Sequence, residues 1–227
     1  MNRRPWTMKA DNSAAEILLY DDIGTEFGGV SAKDFAEDVQ ALGKLDRIDL
    51  RLNSYGGSVF DGVAMYSTLR RHPARVEVWV DGVAASAASV VAMAGDRIRV
   101  SVGGYIMVHN PWSVRQGYAE DLRKEADRLD SIAATVRGVY VARTGLPAPE
   151  VDRLMAAETW MDAPQAVALG FADETFADGR VSARAPSGPY PVLPAALADR
   201  IAEGLQKANR ERLERLASKA NEWVTPT

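Results

Sequence analysis

The alternation of apolar and polar positions divides the chain into short strands and amphipathic helices. Glu16–Tyr20 is a brief apolar run that reads as a strand. Ser31 precedes a stretch with apolar residues at Phe35, Val39 and Leu42, a helical spacing, and Ser31 with Asp34 behind it is an N-cap signal. Arg47–Leu52 alternates and predicts a strand, broken by Asn53-Ser54-Tyr55-Gly56-Gly57. Val59–Leu69 predicts a helix ending near His72-Pro73, because the residue before a proline is pushed out of the helical region. Val76–Val80 predicts a strand broken by Asp81-Gly82, followed by a helix of small residues over Ala84–Ala94. Arg97–Val100 and Tyr105–Val108 predict two further strands. The order strand, helix, strand, helix, strand argues for an α/β domain with parallel pairing and right-handed crossovers.

Downstream the period becomes helical over a long distance. Tyr118–Arg143 predicts one amphipathic helix with Leu122, Leu129, Ile132, Val136 and Val139 along one side, stopped by Gly145 and Pro147. Pro149–Ala157 predicts a short helix, Thr159-Trp160 an extended pair, and Ala163–Leu169 a helix closed by Gly170. Composition shifts after Gly179. Ala185–Pro194 holds four prolines in ten residues and reads as a linker. Ala195–Trp223 is a charged helical tract with Leu197, Ile201 and Leu205 on one face. The expected organisation is an N-terminal segment over 1–15, an α/β domain over 16–180, a proline-rich linker over 181–194 and a helical extension over 195–227.

Composition narrows the classes. With 47% hydrophobic residues in 227, the chain can fill a sizeable core. Its 27 basic and 31 acidic residues leave a net charge of −4, which gives no reason to expect nucleic acid or an anionic membrane as partner. The absence of cysteine excludes a disulfide scaffold, a thiolate zinc site and a cysteine nucleophile. Two histidines, His72 and His109, speak against a histidine-built metal site. The charged start lacks the apolar run of a secretory signal, and the longest apolar stretch, Gly82–Gly95, is too short to span a bilayer, so a soluble cytoplasmic protein is expected.

Three short segments could carry chemistry. In Gly82-Val83-Ala84-Ala85-Ser86-Ala87-Ala88-Ser89, a strand, a sharp turn and a helix starting at a serine would expose Ser86, with the helix N-terminus favouring negative charge. On that segment alone, a serine used like alanine in a tightly packed helix is the plainer reading. His109 ends the apolar strand 23 residues later, where the carboxyl ends of strands in open α/β sheets gather ligands, and could act as a general base. His72, in a polar helix end, reads as a solvated cap. Gly56-Gly57 permits a left-handed turn with free N–H groups and could form an oxyanion hole with the Ala87 N–H; a tight strand-to-helix turn is the alternative. No lysine follows at phosphate-loop spacing. An acid to orient the histidine is expected, with Glu158 and Asp162 as candidates.

Taken together, Asn53-Ser54-Tyr55-Gly56-Gly57, Gly82-Val83-Ala84-Ala85-Ser86, Met107-Val108-His109-Asn110-Pro111 and Ala163–Asp173 stand in the order and spacing of the ClpP-type serine peptidases, which the chain resembles over roughly Glu16 to Glu174. The resemblance implies a ClpP/crotonase-like α/β fold of repeated β-β-α and βα units, with Tyr118–Arg143 as a long handle helix. It implies Ser86 as nucleophile, His109 as base, and the Gly57 and Ala87 N–H groups as oxyanion hole. The family's acid falls on Glu158, with Asp162 as fallback. Tyr55 stands where the family usually has proline, and the stretch before Glu16 shows no counterpart of the family's first helix and axial loop. Trp6, the Ser-Tyr-Gly-Gly turn and Glu158-Thr159-Trp160 resemble the phage and prophage members, the head maturation proteases. The implied protein is a serine endopeptidase without metal or organic cofactor, cutting protein or peptide substrates inside a homo-oligomeric ring, heptameric and stacked. Its further partners would be an AAA+ unfoldase or phage capsid, portal or scaffold proteins.

Three rival functions use the same residues differently. A crotonase-branch acyl-CoA enzyme would use the oxyanion hole without needing a Ser–His pair. A Ser–Lys signal-peptide peptidase would need a lysine base and a membrane address. A catalytically degenerate scaffold of the same fold would work through its charged C-terminal tract.

Overall fold

The computed structural model describes residues 6–10 and 13–177. The linker and helical extension expected over 181–227 lie outside the described residues. In chain order the elements are β1 (Trp6–Ala10), β2 (Ala14–Leu19), α1 (Ala32–Ala41), β3 (Arg47–Ser54), α2 (Val59–Arg71), β4 (Arg75–Ala85), α3 (Ala87–Ala92), β5 (Arg97–Ser101), β6 (Tyr105–Val108), α4 (Ala119–Thr144), α5 (Ala148–Ala156), β7 (Thr159–Asp162), α6 (Ala163–Ala168) and β8 (Glu174–Phe176). They build one sheet in the order β1-β2-β3-β4-β5-β8, with β6 and β7 branching from β4. Along β2-β3-β4-β5-β8 and from β4 to β6 the pairing is parallel, whereas β1 adds an antiparallel edge and β7 pairs antiparallel with β6.

The alternation in RIDLRL and RVEVWV sets the two faces of this sheet. One face carries Ile48, Leu50, Leu52, Val78, Val80, Ile98 and Val100 into a core shared with Phe35 and Val39 of α1, Met65 and Leu69 of α2, and Val90 and Val91 of α3. The other face is a grid of cross-strand ion pairs. Arg99 pairs with Glu77 and Glu174, Arg51 with Asp81, and the Arg99 guanidinium lies 4.2 Å from the centre of the Trp79 ring. A polar outer face explains why these parallel strands alternate instead of reading as continuous apolar runs.

The capping signal at Ser31 is realised: its side chain accepts from the Lys33 and Asp34 N–H groups and opens α1. Two expectations along β4 need correction. Asp81-Gly82 does not end the strand but marks a change of partner. Glu77–Val80 pair with β5, whereas Val83–Ala85 pair with β6. The helix expected from Ala84 therefore starts only at Ala87. Alanine favours helix, but the ladder offered by Tyr105–Met107 takes up the backbone of Val83–Ala85 and outweighs that preference. β1 and β8 are strands that the pattern did not predict; β8 has three residues, too few to show a period.

The apolar side expected along α4 is used unequally. Val136 and Tyr140 are buried and Ile132 and Val139 pack on the core, but Leu122 is 45% exposed. The helix ends at Gly145, whose φ of 72° supplies the left-handed cap. No helix among the described residues is long and apolar enough to cross a membrane.

Candidate active site

The branch point of the sheet gathers the chemistry. β4 ends at Ala85 and α3 begins at Ala87, so Ser86 alone makes the turn, at φ 55° and ψ −126°. A non-glycine residue in this region costs about 1–3 kcal/mol and persists only where its surroundings hold it. Here they do. The Ser86 N–H donates to the Met107 carbonyl at 3.0 Å, and the Ser86 carbonyl accepts from the Ser89 N–H at 3.0 Å. Gly56 lies against the turn so closely that a Cβ there would meet the Ala85 carbonyl oxygen at 2.6 Å and Ser86 Cβ at 2.8 Å.

β6 runs beside the last residues of β4 and delivers His109 directly after Val108. His109 Nε2 lies 2.8 Å from Ser86 Oγ. Burial pushes the His109 pKa below the usual imidazole value, and the nearby Glu158 charge pulls it back up without cancelling the effect. The ring is thus biased toward its neutral form, the form able to accept a proton.

The two glycines after β3 lie beside the Ser86 turn. Ile23 clamps them: its N–H donates to the Gly56 carbonyl at 2.7 Å and its carbonyl accepts from the Ser58 N–H at 2.8 Å. A Cβ on Gly57 would lie 2.1 Å from the Ile23 carbonyl oxygen, so no side chain fits. The clamp uses the groups flanking Gly57 and leaves the Gly57 N–H without an acceptor among the described residues. Ala87 is the first residue of α3, where an N–H has no partner within its own helix, and no described residue supplies one.

The two candidate acids have different surroundings. β6 and β7 pair antiparallel from Tyr105 opposite Asp162 to Val108 opposite Thr159, so His109 and Glu158 both lie directly beyond the same end of the ladder. Glu158 has a positive φ of 47°, the second non-glycine residue with this property among those described. It acts on His109 as a charge. No hydrogen bond joins the two side chains, and Glu158 Oε1 accepts instead from Trp160 Nε1 at 3.5 Å. Asp162 pairs with Tyr105 at the far end of the ladder, roughly 13 Å away at the usual rise per strand residue. Its carboxylate accepts from the Gln165 N–H at 2.9 Å and caps α6. His72 stands apart as well, bonded to the Gly43 carbonyl and the Ala74 N–H. No group of three or more potential metal ligands occurs among the described residues.

Sequence reasoning passed over Ser89 and Tyr140, which meet behind Ser86 at 2.7 Å. The available signal was a second serine one turn into an alanine-rich helix, and a tyrosine four residues after Val136 on the buried side of α4.

Parallel strands with helices on the apolar face, a serine at a strained strand-to-helix turn and a histidine on the adjacent strand define an α/β protein with a serine–histidine site. Its membership is specific: the chain belongs to the Clp protease family, whose profile matches residues 13–178. It is 28% identical over 163 residues to the ATP-dependent Clp protease proteolytic subunit of Porphyromonas gingivalis, an alignment covering 70% of this chain and 73% of that protein. A ClpP1 variant from Listeria monocytogenes shares the fold, with a TM-score of 0.64 and 20% identity over 72% of this chain and 92% of that one. The fold expected from the sequence is therefore the fold observed.

Proposed function

We propose that this chain is a serine endopeptidase, with Ser86 as nucleophile and His109 as general base. The observation that carries the reading is the 2.8 Å contact between Ser86 Oγ and His109 Nε2, made beside two unpaired backbone donors. In the acylation step His109 Nε2 takes the Ser86 hydroxyl proton as Oγ bonds to the scissile carbonyl carbon. The negative charge moves to the carbonyl oxygen and is met by the Gly57 and Ala87 N–H groups. His109 then gives its proton to the leaving amine as the C–N bond breaks. Water gives a proton to the same imidazole as it adds to the ester carbonyl, and the His109 imidazolium returns that proton to Ser86 Oγ as the ester bond breaks. Glu158 is the acid of the triad: its charge lies toward His109 and favours the imidazolium that forms in each step.

The substrate class is protein or peptide, and the working form is a closed homo-oligomeric ring enclosing the sites. Within the family we place the chain with the head maturation type, on Trp6, the Ser54-Tyr55-Gly56-Gly57 turn and Glu158-Thr159-Trp160. Cleavage of a co-encoded capsid or scaffold protein tests that placement. Ser86→Ala tests the mechanism. It should lower hydrolysis of a fluorogenic peptide on the order of 10⁴-fold or more and abolish fluorophosphonate labelling, with the oligomeric mass unchanged. Wild-type turnover in the variant would refute the assignment.

A further inference from the structure

The peptide unit between Ser86 and Ala87 carries its C=O and N–H on opposite sides. Because the unit is planar and trans, fixing the direction of one fixes the direction of the other. The Ser86 carbonyl is held from behind. The Ser89 N–H donates to it at 3.0 Å, and Ser89 Oγ donates to it at 2.6 Å. A serine hydroxyl has one proton, and here the carbonyl takes it. The 2.7 Å contact between Ser89 Oγ and the Tyr140 hydroxyl therefore has the phenol as donor. The bonds form a directed chain from Tyr140 O–H to Ser89 Oγ, and from Ser89 O–H to the Ser86 carbonyl.

No water competes for these groups, since Ser89 is 0% and Tyr140 1% exposed. Burial raises the Tyr140 pKa well above the usual phenol value, more than the bond to Ser89 lowers it, so the phenol keeps the proton it donates. A serine bonded to the carbonyl three residues earlier is common inside helices. Two features set this one apart. The carbonyl belongs to Ser86, whose φ of 55° lies outside the helical region. The second donor comes from α4, 51 residues along the chain, with the Tyr140 ring packed 5.5 Å from the Phe171 ring.

We propose that Ser89 and Tyr140 are positioning residues for the oxyanion hole: they lock the Ser86–Ala87 peptide so that the Ala87 N–H faces the oxygen that becomes negative, and they tie that direction to the seat of α4. The proposal rests on Ser86 being the nucleophile. Hydrogen bonds onto the carbonyl also polarise the unit and strengthen its N–H as a donor.

The test uses the intact chain with Ser89→Ala, Tyr140→Phe and the double variant. Each is measured for kcat and KM on a fluorogenic peptide, affinity for a peptide boronic acid that mimics the tetrahedral species, and thermal midpoint. Ser89→Ala should lower kcat about 10-fold with KM nearly unchanged, because a misdirected donor loses part of what a deleted one would. Boronate affinity should fall by the same factor. Ser89→Ala also leaves a buried phenol without an acceptor, so its midpoint should drop. The double variant removes both hydroxyls and should regain most of that midpoint, yet keep the low kcat. Tyr140→Phe, which preserves the ring, should fall between wild type and Ser89→Ala. Recovery of kcat together with the midpoint in the double variant would overturn the proposal by reducing the pair to packing, as would wild-type kcat in both single variants. Failure of the underlying reading is seen separately: a wild-type protein that takes no fluorophosphonate on Ser86 removes the nucleophile, and the proposal with it.

Discussion

At the scale of single residues, charge and burial act on His109 in opposite directions, and the sign of each gives a pH prediction. Burial lowers its pKa and Glu158 raises it, with burial the larger effect. The base form therefore persists to lower pH than for a free imidazole, and the acid limb of kcat/KM should have its midpoint below about 6.5. Glu158→Gln removes the raising charge, so the limb should move further toward acid while kcat falls about 10–100-fold. Asp162→Asn should leave both the limb and kcat close to wild type, because asparagine caps a helix as well as aspartate does. A pH profile of the three proteins on one peptide substrate checks all of this. A larger loss in Asp162→Asn would assign the acid to the other carboxylate.

At the scale of elements, α4 joins two environments. Its C-terminal half packs through Val136 and Tyr140 into the core, while its N-terminal half and the segment before it present Trp112, Val114, Tyr118 and Leu122 to solvent. An apolar patch on one helix end is what a neighbouring copy of the chain would cover in the proposed ring. Leu122→Glu should leave the monomer fold intact, since the residue is not among the buried core residues, and should reduce the oligomeric mass measured by light scattering. An unchanged mass would place the subunit contact elsewhere. The periodicity that predicted α4 correctly gave one apolar side, but it could not tell which part of that side faces the chain's own core.

At the scale of the whole molecule, the elements that build the site span Ile23 to Glu158, and the family match ends at residue 178. The proline-rich linker and charged tract expected over 181–227 lie beyond that match and outside the described residues. Truncation at Arg184 should therefore spare folding and fluorophosphonate labelling of Ser86 and alter assembly or partner recruitment instead. Light scattering and labelling of the shortened chain check the prediction. Loss of labelling would show that the tract belongs to the catalytic unit.

The sequence by itself determined the strands with clear alternation and the helix that Ser31 caps, and it singled out Ser86 and His109, which the fold brings together. These features are local: a period of two or 3.6 residues, a cap or a glycine turn acts within a few positions of itself. Only the tertiary structure decided where β4 ends. The alanines of Val83–Ala85 carry a helical preference, and hydrogen bonds from β6, 22 residues away, override it. It likewise placed Glu158, rather than Asp162, at the end of the β6–β7 ladder where His109 emerges. Tyr140 behind Ser89 is the same kind of fact. Register and packing join residues distant in sequence, and no local pattern encodes which of two nearby carboxylates, or which tyrosine of a helix, arrives at a given atom.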